Sequence, residues 1–333
     1  MPERTAEAVT RLEAAGYANV GKTNLHEFAY GTTSQNPHFG AVPNPRAPGR
    51  VAGGSSGGNA AALVLGLADA AIGTDSGGSV RIPAACCGVV GFKPTYGLVP
   101  MDGCFPLAPS FDHGGPMARD VETCAAMMET LVAGFRRARV ESLEELSVGV
   151  VWLDLADPLV RARVEDAAAR FPKRRQMELP FPEVGPVFMR EVADVHRELY
   201  AEQGELYGEN VGAKIERCLA VTDAEYGAAL PARETYREQM LEQLAEVDLV
   251  VTPTLSCVAP SLTRDELTVR ETLIRFTLPF NTIGAPAIAL PCGSAEDGLP
   301  ASVQLAAKPG DDALVLATAA LLERALTSAG RPS

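Results

Sequence analysis

Gly53-Gly54-Ser55-Ser56-Gly57-Gly58, followed by Gly73-Thr74-Asp75-Ser76-Gly77-Gly78-Ser79-Val80-Arg81-Ile82-Pro83-Ala84, decides how this chain is read. Two serines, Ser55 and Ser79, stand 24 positions apart, each in its own glycine cluster. Glycine at such density costs backbone entropy on folding, so it persists where the chain must bend sharply or approach a ligand closely. Hydroxyls flanked by bare N–H groups point to a nucleophile beside an anion hole.

Outward from the clusters, helical and strand patterns alternate. Residues 5–15 put Ala8, Val9, Leu12 and Ala15 on one helical face, and Gly16 ends the run. Residues 17–20 read as a short strand and residues 31–54 as a long polar loop. A buried helix is expected over 59–67 and a strand over 70–73. A short helix over 79–87 would hold Ser79 in its first turn, and another strand covers 89–92. Asp120 is placed to cap a helix reaching about residue 132. Further strands are expected over 148–153, 248–253, 287–290 and 302–306, with helices over 159–170, 187–243 and 311–326. This alternation predicts an α/β fold around a largely buried sheet. No repeat occurs, and the weakest point for a boundary is 134–147.

The chain has 333 residues, 47% of them hydrophobic, and a net charge of −13. That balance disfavours direct nucleic-acid binding. The basic runs Arg136-Arg137-Ala138-Arg139 and Lys173-Arg174-Arg175 read as solvated loops or helix ends. The longest apolar stretch, near residues 60–71, is too short and broken to span a bilayer. The opening Met1-Pro2-Glu3-Arg4-Thr5 shows no apolar leader, so the expected compartment is cytoplasmic. Seven scattered cysteines, without a CxxC pair, and four histidines off ligand spacing predict no disulfide framework, no metal and no cofactor.

Taken alone, Gly53-Gly54-Ser55-Ser56-Gly57 also fits the G-x-S-x-G nucleophile elbow, which would need His113 or His196 as base. Asp75-Ser76-Gly77-Gly78 echoes the serine loop of chymotrypsin-like proteases, but those are all-β. A phosphate cradle would need a Gly-Lys-Ser/Thr that follows neither cluster.

Taken together, the two clusters resemble the signature of the amidase signature family. Gly91-Phe92-Lys93-Pro94-Thr95 continues the match, with a core over residues 50–120. Flanking pieces fit as well: Gly21-Lys22-Thr23-Asn24, Gly115-Pro116-Met117-Ala118-Arg119, Pro279-Phe280-Asn281 and Gly284-Ala285-Pro286-Ala287 before Gln304. The resemblance implies one amidase signature domain over 1–333, with a mixed, mostly buried central β-sheet covered by helices on both faces. It implies hydrolysis or transfer of amides, with Ser79 as nucleophile and Ser55 as a second serine preceded by a cis peptide bond. It further implies an oxyanion hole of backbone N–H groups around Ser76, Gly77, Gly78 and Ser79. Asp75 and Arg81 are read as a buried ion pair that shapes the loop. Ser56 is read as adding a hydrogen bond, and Lys93 as structural or superficial.

One part of the pattern has no match. The family's lysine base lies in a Gly-Val-Pro-like segment upstream of the first helix seen here. The lysines present are Lys22, Lys93, Lys173, Lys214 and Lys308, and Lys22 matches a different family position. The expectation is an amino-terminally incomplete chain that is weak or inactive alone, because serine is a poor nucleophile without a base. Such a chain is expected to expose an unpaired sheet edge or apolar surface. The functions implied are a general amidase acting on a small amide, the A subunit of a glutamyl-tRNA amidotransferase, or a non-catalytic scaffold. A homodimer and an amidotransferase-type partner both fit. Phe188, Met189, Val192 and Tyr200 are candidates to line an acyl pocket, with plain helix packing as the competing reading.

Overall fold

The computed structural model describes residues 4–329; the Met1–Glu3 part of the leader reading lies outside them. Four very short strands come first. β1 (Gln35–Asn36) pairs with β2 (Gly40–Ala41), and β3 (Pro43–Asn44) with β4 (Ala47–Val51). The stretch read as a bare loop is thus two small hairpin-like pairs.

The main sheet has eight strands: β5 (Ala70–Asp75), β6 (Val90–Lys93), β7 (His113–Ala118), β8 (Ser147–Val150), β9 (Lys173–Gln176), β10 (Leu249–Pro253), β11 (Ala287–Ser294) and β12 (Pro300–Ala306). Their order is β5-β7-β6-β11-β12-β10-β8-β9. Neighbours run antiparallel from β5 to β10, while β10–β8 and β8–β9 are parallel, so the sheet is mixed as expected.

Alternation along the central strands feeds two helical layers. Leu249, Val251, Ile288, Leu290 and Leu305 join α4 (Val121–Leu131), α5 (Pro158–Ala168) and α11 (Asp312–Ala329) in one core. α1 (Glu7–Ala14) packs into the same layer. On the other face, Val250, Ala287 and Ala306 meet α8 (Asp223–Leu244), while Met117 and Ala289 meet α2 (Gly57–Val64) and α3 (Arg81–Cys87). Asp120 caps α4 by accepting from Thr123 N at 2.7 Å. The stretch 187–243 resolves into α6 (Gly185–Gln203), α7 (Glu209–Leu219) and α8. Shorter helices α9 (Glu266–Ile274) and α10 (Leu278–Thr282) follow β10.

Small residues let α3 sit almost on the sheet. A Cβ on Gly91 of β6 would fall 2.7 Å from Val80 O and 2.8 Å from Ala84 Cβ. Gly88, in the left-handed region at φ +67°, ends α3. This close approach fixes the turn that carries Ser79. Among the described residues β5 forms one end of the sheet, pairing with β7 alone. Beside it runs a groove of about 680 Å³ lined by Val9, Leu12, Val20, Lys22, Ser56 and Ile72, among others.

Three further local readings differ from what forms. Residues 17–20 are not a strand. Ser79 lies in the turn before α3 rather than in its first turn. Lys173-Arg174-Arg175, read as a solvated loop or helix end, is edge strand β9, exposed at every residue.

Candidate active site

Both glycine clusters turn where strand gives way to helix, and backbone bonds hold them together. Ser56 N donates to Ser79 O at 3.2 Å, and Ser55 O accepts from His26 N at 3.1 Å. The Gly54–Ser55 peptide is cis. Ser34 Oγ also donates to Ser55 O, at 2.9 Å, and accepts from Gly57 N at 3.0 Å. The Ser55 hydroxyl is buried without a hydrogen-bond partner among the described residues. Ser79 borders a cavity of about 510 Å³. Ser76 and Gly77 share that wall; Tyr30, Leu107, Phe188, Met189, Ile274 and Leu278 supply apolar surface. Phe188 and Met189 therefore reach the cavity. Val192 belongs instead to the buried core, and Tyr200 donates to Glu216 Oε1 at 3.1 Å.

The donors around Ser79 divide. Gly78 N donates to Asp75 Oδ1 at 2.8 Å and Val80 N to Asp75 Oδ2 at 3.1 Å. Among the described residues, the amides of Ser76, Gly77 and Ser79 have no protein acceptor. Gly78, among the expected donors, already gives its N–H to Asp75 Oδ1, and it shapes the turn. At φ +134° its Cβ would fall 2.3 Å from Thr277 Oγ1, while a Cβ on Gly77 would meet only Leu278 Cδ1 at 3.7 Å. Gly78→Ala is expected to cost about 1–3 kcal/mol or more by overpacking and to lower the thermal midpoint by several degrees. Gly77→Ala should leave it nearly unchanged. Equal midpoints for the two variants would refute this division.

Asp75 and Arg81 form the expected buried pair. Arg81 Nη2 lies 2.9 Å from Asp75 Oδ1, and both side chains are fully buried. Arg81 also donates to Gln304 Oε1 at 2.8 Å, Thr277 O at 3.0 Å and Asn281 Oδ1 at 2.6 Å. Asn281 Nδ2 returns to Asp75 Oδ1 at 2.9 Å. Burial alone would raise the Asp75 pKa, but the charge and hydrogen bonds of Arg81 outweigh it and hold the carboxyl below its usual range. The carboxylate left in place organises the Gly78 and Val80 amides.

Other candidates sort plainly. The Ser56 hydroxyl makes no hydrogen bond among the described residues and packs against Gly73, so only its backbone amide contributes. Lys93 is fully buried, not superficial. It donates to Ala285 O at 2.5 Å and Pro94 O at 3.1 Å, and burial pushes its pKa well down. Neither elbow histidine bonds to Ser55. His113 Nδ1 lies 2.6 Å from Phe111 O, and His196 Nδ1 lies 2.9 Å from Tyr207 Oη.

Sequence reasoning missed one cluster on the cavity wall. Lys214 on α7 meets Glu266, the first residue of α9, at 2.6 Å. These residues are 52 apart in sequence, and no local pattern joins them. Burial lowers Lys214 to about 8 despite Glu266. Glu266, which burial would raise, is held at about 2 chiefly by Lys214 and Arg270. Nearby His26 falls from 6.5 to about 4, through burial first and then the Lys214 charge. Between pH 6.5 and 4 the unfolded chain therefore binds a proton at His26 that the folded chain does not, and stability falls as pH falls. Glu266 acts in the same direction at lower pH. The urea midpoint is expected to be lower at pH 4.5 than at pH 7, with His26 alone contributing about 2 kcal/mol. A midpoint that holds or rises on acidification would contradict this.

With this geometry in view, comparison with known proteins gives a consistent result. The Amidase family model matches residues 1–316. The chain is 32% identical to a fatty acid amide hydrolase of Medicago truncatula, over 97% of this chain and 60% of that protein. It is 35% identical to the A subunit of the glutamyl-tRNA(Gln) amidotransferase of Thermus thermophilus, over 99% of this chain and 80% of that one. A crystal structure of an amidase superposes with a TM-score of 0.89 at 37% identity, covering 96% of this chain and 77% of that chain.

The fold and its relatives place the protein in a class whose members include amide hydrolases. The chain belongs to the amidase signature family. It spans 60% of the length of the fatty acid amide hydrolase it matches and about four fifths of the amidotransferase chain. No helix among the described residues is long and apolar enough to cross a membrane.

Proposed function

We propose that this chain carries the serine machinery of an amidase that opens linear amides through an acyl-enzyme. Ser79 Oγ attacks the carbonyl carbon and the C–N bond breaks, with Ser55 Oγ passing the Ser79 proton to the departing amine; water then hydrolyses the acyl ester, releasing the acid and restoring the Ser79 hydroxyl. The amides of Ser76, Gly77 and Ser79 hold the oxyanion; donors of this kind each contribute about 10²–10³ in kcat. The observation that carries the reading is Ser79 at a cavity wall beside amides that no protein group occupies. Among the described residues no lysine bonds to either serine hydroxyl, and the buried Ser55 hydroxyl has no hydrogen-bond partner.

Ammonia release from short-chain and aryl amides tests the proposal, with Ser79→Ala as control. Turnover that disappears in the variant supports it; turnover indifferent to the variant overturns it. Lys22, which lines the same groove as Ser56, is the first lysine to replace in seeking the base.

A second reading draws on the glutamyl-tRNA(Gln) amidotransferase chains among the relatives. In it, the serine pair releases ammonia from glutamine within a complex. Glutaminase activity that rises when a partner protein is added would favour it over the stand-alone amidase.

A further inference from the structure

A charged cluster at the cavity wall is left unused by the serine chemistry. Lys214 and Glu266 are each 2% exposed. The Lys214 ammonium donates to Tyr30 O at 2.7 Å. Glu266 Oε1 accepts from the amide and the hydroxyl of Thr32, each at 3.0 Å. Arg270 stands 3.6 Å from the same oxygen. Lys214 Nζ and the Arg270 guanidinium lie 5.2 and 5.0 Å from the Tyr30 ring centroid. Two residues of the loop 30–34 are thus clamped by α7 and α9.

That loop holds Ser55. Two residues beyond Thr32, Ser34 grips Ser55 O and Gly57 N through its hydroxyl. A Cβ on Gly54 would fall 2.8 Å from both Thr32 C and Thr33 N, so the loop backbone lies directly against the Gly54–Ser55 peptide. Tyr30, Gly31 and Thr32 also line the cavity that Ser79 faces. Two buried charges are a costly way to join two helices, since apolar side chains of similar volume often do it as well. What the ions add is direction: one fixes a carbonyl of the loop and the other fixes an amide two residues on.

We propose that the Lys214–Glu266 pair is a positioning device: it fixes loop 30–34 and, through Ser34, the Ser55 peptide, so the cavity wall and the serine pair keep one geometry. The inference rests on reading Ser55 as part of the reacting pair.

The test removes both charges together, as Lys214→Met with Glu266→Met, so that neither ion is left unpaired. Amide hydrogen exchange is read at residues 30–34 and 53–57 and in central strands β6 and β11, alongside the rate at which a fluorophosphonate labels Ser79. Exchange at the Ser56 and Gly57 amides is expected to rise about tenfold or more, with the central strands unchanged. Labelling should slow by a similar factor, and Lys214→Arg should retain slow exchange. Loosening confined to 30–34, with 53–57 still protected, overturns the proposal, as does a rise spread evenly over the molecule. Failure of the unmodified chain to label at Ser79 would count against the proposed function, while the exchange pattern would still decide the role of the pair.

Discussion

Ser79→Ala is expected to abolish amide turnover by ~10³-fold or more while leaving the thermal midpoint within about a degree. The size of the loss follows from the chemistry, because removing the nucleophile leaves only binding and the anion hole to act on water. Stability should hold because Ser79 Oγ makes no hydrogen bond among the described residues and faces a cavity. Ser55→Ala is a different case. Its hydroxyl is buried and unpartnered, so alanine removes an unsatisfied polar atom, and the fold should tolerate the change or gain from it. Activity should nevertheless fall steeply, and the double variant should be no worse than either single, as expected of residues acting as a unit. Additive losses would contradict this coupling. Steady-state kinetics of the three variants and their melting curves make the check.

Arg81→Met is the largest expected effect on stability, about 3–5 kcal/mol. Methionine fills a similar volume but leaves Asp75 as an uncompensated charge in a fully buried site. It also orphans the acceptors Thr277 O, Gln304 Oε1 and Asn281 Oδ1. For a chain of this size a loss of that order corresponds to about 4–7 °C in the melting midpoint. Asp75→Asn should be milder, because the amide can still accept from Gly78 N. It should slow labelling of Ser79 by releasing Val80 N and relaxing the turn. Should Arg81→Met melt within two or three degrees of the unmodified chain, the buried pair would not be what holds the turn.

The parts of the fold and site that could be read in the sequence are those whose determinants are local. The glycine clusters specify turns that only glycine can make, and those turns bring the Ser55 and Ser79 segments side by side. Asp75 and Arg81 are six residues apart and find each other within one turn and one helix start. Asn281 and Gln304 stood in recognised motifs, but their role became visible only in space: both complete the Arg81 hydrogen-bond set. β7 escaped notice because Gly114-Gly115-Pro116 reads as a breaker. In fact a Cβ on Gly115 would fall 2.2 Å from Phe92 O, so glycine is what lets β7 pass this close to β6. β9 was hidden by its charge, since an exposed edge strand of Lys-Arg-Arg-Gln carries no apolar alternation. The Lys214–Glu266 pair joins helices 52 positions apart through side chains that read singly as helix surface. Gly78 shows the remaining limit. The motif marks a glycine there, but which N–H groups stay free depends on the Asp75 carboxylate oxygens, and those are set by Arg81 and Asn281.

The central claim is that the Ser79 hydroxyl is the reacting group, seated among free amides at the wall of the cavity. Peptide mapping by mass spectrometry after exposure to a fluorophosphonate tests it most directly. One adduct is expected, on the peptide carrying Ser79, absent from Ser79→Ala and slowed in Ser55→Ala. An adduct on Ser55 or elsewhere, or labelling that survives Ser79→Ala, would contradict it.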